Sequence, residues 1–126
     1  MITDNLYAAW IGILLGCLAG AGQGLFFRQE NWLGGYGSWT RRMLRLAHIS
    51  FFGLGFINIA FALSARTLGV EDQVQWPSLL LVIGAATMPL VCYLAAIKDF
   101  FRHLFFIPAL AVIAGLAVFV WKILFQ

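Results

Sequence analysis

Charge is scarce in this sequence, and where it is missing says more than where it stands. Charged residues make up 10% of the 126 positions and apolar residues 63%. A soluble domain carries about a quarter charged and about half apolar residues. A fold this small has too much surface for its volume to hide that excess from water. A water-soluble domain is therefore excluded, and so is a nucleic-acid binder, because the basic residues flank apolar runs and form no polar patch of their own. Cysteine is equally sparse. Cys17 and Cys92 lie inside apolar runs on different segments, which excludes a disulfide framework or zinc spacing and leaves two small hydrophobes. The residues before the first apolar run carry Asp4 and no basic residue, so a cleavable leader is not expected.

Four stretches lack charge altogether: 6–27, 46–65, 77–97 and 104–121. A helix needs about 20 mostly apolar residues to cross a bilayer. The runs are continuous and do not alternate, which excludes a β-barrel. The expected fold is an all-α integral membrane protein, a single antiparallel (up-down) bundle of four transmembrane helices. The connection 98–103 is short enough to force the last two helices into a tight hairpin.

Lysine and arginine set the orientation. Arg28, Arg41, Arg42, Arg45, Lys98 and Arg102 fall in the first and third connections, against Arg66 and Lys122 on the other side. With Glu30 and Asp99 included, one side nets +4; with Asp4, Glu71 and Asp72, the other nets −1. The first and third connections are expected inside and both termini outside, in a bacterial inner membrane whose anionic lipids would meet the positive side. Trp10, Trp76 and Trp121 fall at the outer ends, and Trp32, Tyr36 and Trp39 in the inner connection, as interfacial aromatics do.

Glycine is not scarce. Gly12, Gly16, Gly20 and Gly24 repeat at i, i+4 on the first helix. Small residues at that spacing let another backbone approach. Two readings share this physics: packing within the bundle, and a docking groove for another subunit, a second copy, a lipid or a cofactor. Pro89 interrupts the third run and frees a backbone carbonyl, which Thr87 or a neighbouring helix is expected to satisfy.

His48 and His103 are the only histidines. Both are expected at the inner ends of diagonal helices, roughly 13 Å apart from ordinary neighbour spacing. Two such imidazoles suit the axial positions of a b-type haem. Arg45 and Arg102 would pair with its propionates, and Gly55 would leave room for a flat ring. The simpler reading is interfacial chemistry, with both rings solvated, bonded to the first inner loop or touching lipid phosphate. No Asp, Glu, Lys or Arg lies inside a span, although ion and proton routes usually rely on them. No serine or glycine motif marks a hydrolase or a phosphate loop. Three functions follow: a small accessory subunit of a larger membrane complex, such as an electron-transfer assembly; a haem-binding electron carrier; and a dimeric small-solute channel or transporter.

Overall fold

A computed structural model describes residues 1–125, and among them every regular element is helical. Four long helices, α1 (Ile2–Gly24), α2 (Trp39–Thr67), α3 (Gln75–Ile97) and α4 (Phe106–Leu124), alternate with short 3₁₀ segments at Trp32–Gly34, Glu71–Gln73 and Asp99–Phe105. Each long helix, α4 taken with the turn before it, is long and apolar enough to cross a membrane. Only 17–39% of their apolar windows is buried within the chain. Most of the apolar surface therefore faces outward.

The helix ends depart from the limits that charge suggested, overrunning most of them but falling short at the end of α1, which stops at Gly24, and at the start of α4. α2 starts at Trp39 and not at Leu46. A helix ends where its backbone hydrogen bonds end, and Ser38 supplies a start by accepting the Arg41 N–H at 3.3 Å. The arginines that follow are good helix formers. α1 begins at Ile2, with Asp4 in a first turn that favours acid. α4 starts at Phe106 because residues 99–105 wind as a 3₁₀ segment. α3 runs through Pro89. The Thr87 hydroxyl donates to the Ile83 carbonyl at 2.7 Å, not to the carbonyl of Ala85, the one Pro89 leaves free.

Contacts between the helices fall into register. On α1 and α2, Asn5 meets Asn58, Ile13 meets Gly55, Gly16 meets Phe52 and Gly20 meets His48. On α2 and α3, Trp39 meets Ala95 and Asn58 meets Leu81. On α3 and α4, Gly84 meets Val112 and Leu81 meets Gly115. Numbers rise on one helix as they fall on the next. α3 also packs on α1, so it touches all three other helices.

The core sits at the end holding the α2–α3 connection. Phe61, Ala65, Val70, Val74, Leu81 and Phe119 form it, with Phe61 and Phe119 edge to face at 4.8 Å. The connection enters the core because α2 closes on a Schellman turn. Gly69 adopts φ +66, its N–H reaches the Arg66 carbonyl, and the Val70 N–H reaches that of Ala65. That geometry turns Val70 inward, where it is 3% exposed.

Candidate functional site

The glycines of α1 divide into two groups. Gly12, Gly16 and Gly20 face α2. A Cβ on Gly16 would stand 2.9 Å from the Phe51 Cβ and 3.0 Å from the Phe52 ring. A Cβ on Gly20 would collide with the His48 imidazole, and one on Gly12 would rest 3.7 Å from the Phe51 carbonyl. Gly24 faces open space, as does Gly22. Gly55 on α2 belongs to the same seam. Its missing side chain is replaced by Ile13, 2.8 Å from the Cβ position, and by the Ala9 carbonyl at 3.3 Å. The space expected there for a flat ring is filled by α1.

The histidines take separate neighbours. His48 is half-buried, lies over Gly20 and meets Phe52 edge on at 5.2 Å. Its Nδ1 is buried without a hydrogen-bond partner. His103 is exposed in the segment 99–105 and packs on Phe100 at 5.9 Å. That segment rests on α3 and α4, whereas His48 turns toward α1. The two arginines are also engaged. Arg45 donates to the Tyr36 carbonyl at 2.9 Å and lies 4.1 Å over the Tyr36 ring. Arg102 pairs with Asp99 at 3.3 Å, both side chains exposed.

A different set of side chains converges in the interior. Asn5, Asn58 and Ser78, from α1, α2 and α3, are 0%, 0% and 2% exposed. The Asn5 amide donates to the Asn58 side-chain oxygen at 2.7 Å and to the Ser78 carbonyl at 3.2 Å. The Ser78 hydroxyl donates to the Asn5 side-chain oxygen and meets the Met1 carbonyl. The Asn58 amide closes on the carbonyls of Leu54 and Leu81 at 2.9 and 3.3 Å. This clamp ties three helices together at one level. Of the three, Asn58 alone lies well inside an uncharged run; Asn5 precedes the first run and Ser78 stands at the start of the third. The signal was nonetheless present. Asn5 lies eleven positions before Gly16, three helical turns, and therefore on the same stripe.

The opposite end is held by aromatics and arginine. The Trp39 indole donates to the Ala95 carbonyl at 2.8 Å and the Thr40 hydroxyl to that of Ala96 at 3.3 Å. These are last-turn carbonyls with no partner in their own helix. Leu33, Gly34 and Gly35 all take positive φ, at 52, 87 and 93°, and fold the first connection back over α2. Arg41 is only 5% exposed. Its guanidinium donates to the Glu30 carbonyl at 3.3 Å and lies 5.5 and 5.8 Å from the Trp32 and Tyr36 rings. Its Nε is buried with no partner. Trp32 stacks on Phe26 at 5.2 Å, and both line a cavity of about 310 Å³ with Ala19, Gly22, Gln23 and Tyr93.

Among the described residues no three His, Cys, Asp or Glu side chains gather as a metal site would require. Comparison with protein-family models, with curated proteins and with solved structures gave no match.

Proposed function

We propose that the chain is an up-down bundle of four transmembrane helices serving as a small accessory subunit of a larger membrane assembly. The first and third connections face the cytoplasm of a bacterial inner membrane and both termini face outward. The falling register between successive helices supports the up-down order. The six basic residues at one end support the orientation, and would draw anionic lipid by about 1 kcal/mol each.

One observation carries the accessory role: asparagine, serine and threonine side chains buried in or lying along the helices bond to one another or to helix backbone. Asn5, Asn58 and Ser78 close a mutual network, and the hydroxyls of Thr67 and Thr87 return to their own helices. The apolar face of α1 carrying Tyr7, Trp10, Ile11, Leu14, Leu15 and Leu18 is left uncovered. Chemistry turned inward with an apolar exterior suits a part that stabilises neighbours.

Gentle detergent extraction tests this reading. A reproducible larger assembly containing the chain is the expected result, and a lone monomer would overturn it. A reduced-minus-oxidised absorption spectrum separates it from the electron carrier, since a Soret band removed by His48→Ala would establish haem instead. Solute flux through liposomes holding the purified chain alone would favour the channel.

A further inference from the structure

We infer that the head of α2 is a binding site for one anionic phospholipid, with its phosphate on Arg41 and an acyl chain in the cavity behind Trp32. This rests on the reading that the chain spans a membrane.

Arg41 is the starting point. A guanidinium is always charged, and burying a charge without a counter-charge is costly. Arg41 is 5% exposed, its Nε lacks a partner, and what it reaches within the chain is a neutral carbonyl and two rings. Neither ion pair among the described residues includes it. The aromatic faces offset part of that charge and leave an anion wanted.

The surroundings select the kind of anion. Arg41 stands in the first turn of a 29-residue helix, where the dipole and free amides favour negative charge. Ser38 takes the Arg41 N–H and the Ser38 carbonyl takes that of Arg42. The amides of Trp39 and Thr40 have no intrahelical acceptor at that position. Arg42 is exposed beside them. Bidentate guanidinium geometry with added amides fits a phosphate.

The cavity selects a lipid over a free ion. Trp32 carries Arg41 over its ring and also lines the cavity, and Leu44, one turn beyond Arg41, lines it as well. Arg41 does not itself line the cavity, but Trp32 and Leu44 border both it and the charge. The space is a shallow, open groove whose walls are mostly small or apolar, Ala19, Gly22, Phe26, Trp32 and Leu44, with the Gln23 amide and the Tyr93 hydroxyl as its polar members, and its size of about 310 Å³ suits part of an acyl chain lying along it.

The test uses the full chain in zwitterionic detergent, titrated with phosphatidylglycerol, phosphatidylcholine or inorganic phosphate. Bound lipid is read by native mass spectrometry and stabilisation by Tm. Phosphatidylglycerol should be retained over phosphatidylcholine. Arg41→Gln should weaken it about tenfold, as losing hydrogen bonds to a charged group does. Gly22→Leu fills the cavity without touching Arg41, and an added Cβ there meets nothing within 4 Å. It should also weaken binding, and it decides the matter if Arg41→Gln does not fold. Arg102→Gln, a basic residue of the other inner connection, should leave retention unchanged. Equal loss in Arg102→Gln would mean diffuse attraction and overturn the site. Equal stabilisation by inorganic phosphate, or no preference between the lipids, would overturn it too. A chain that needs no detergent to stay dissolved would instead defeat the membrane reading beneath it.

Discussion

Asn58 has two amide hydrogens and an acceptor oxygen, and all three are engaged with partners on α1, α2 and α3. Away from water an unmet polar group has no cheap substitute, so the clamp resists piecemeal removal. Measured hydrogen bonds between helices in membranes are nevertheless modest, about 0.6–2 kcal/mol, because the unfolded chain finds other partners. Asn58→Ala and Asn5→Ala should each destabilise by about that amount. Their double mutant should lose less than the sum, since each single change already breaks the shared bond. Unfolding in mixed micelles with rising denaturing detergent would measure this, and strict additivity would mean the bond carries nothing. At this scale the sequence was partly legible. Asn58 stands inside an apolar run, where a polar side chain turns toward the bundle, but Asn5 and Ser78 lie at the margins of their runs, where burial depends on how far a helix extends. In the sequence Arg41 is only one of the basic residues of the first connection. Its burial comes from a connection folding back through positive φ at Leu33, Gly34 and Gly35, and Leu33 in that conformation is not something composition announces.

Helix contacts here are matched pairs of absence and bulk. Gly16 receives Phe51 and Phe52, Gly55 receives Ile13, Gly84 receives Val112, and Gly115 receives Leu80 and Leu81. The i, i+4 glycines announced close approach. What they could not announce was the division between positions facing α2 and positions facing open space, because that depends on the rotation of α1. Substitutions expose the division. Gly16→Leu should cost about 1–3 kcal/mol by overpacking, whereas Gly24→Leu, with open space around it, should leave stability nearly unchanged. Thermal unfolding of the two variants in one detergent would check this, and equal losses would place α1 in another rotation. The α2–α3 joint adds a smaller effect. Trp39→Phe keeps the ring but removes the N–H that serves Ala95, and should destabilise by about 0.5–1.5 kcal/mol. Its amide exchange should quicken in the last turn of α3 in preference to the middle. Helix ends were the least legible element feature, since charge marks where a membrane ends and capping marks where a helix does.

For the whole molecule, the order of helices along the chain was legible, and the contact of α3 with all three others was not. Successive helices separated by short connections must neighbour one another, whereas the α1–α3 contact includes hydrogen bonds between Asn5 and Ser78, residues far apart in the chain. Orientation rests on a separate argument, made of charges outside the packed interior. Six Lys and Arg at one end oppose two at the other, and in the proposed membrane setting each would resist transfer across the bilayer. The α2–α3 connection is the sensitive point, because Glu71 and Asp72 form a short turn there and are exposed. Cysteines placed at Gly37 and Glu71 should differ in intact cells toward a membrane-impermeant thiol reagent, Glu71→Cys labelling from outside and Gly37→Cys only after permeabilisation. Adding Asp72→Lys with Gln73→Lys doubles the Lys and Arg count of the end proposed to face outward, from two to four, and should produce a mixed population, with Gly37→Cys partly labelled from outside. Packing contacts are the same in either orientation, so this variant should keep its unfolding midpoint while its topology divides. A uniform, unchanged labelling pattern would mean that packing or an assembly partner fixes the orientation and that the charge bias is incidental.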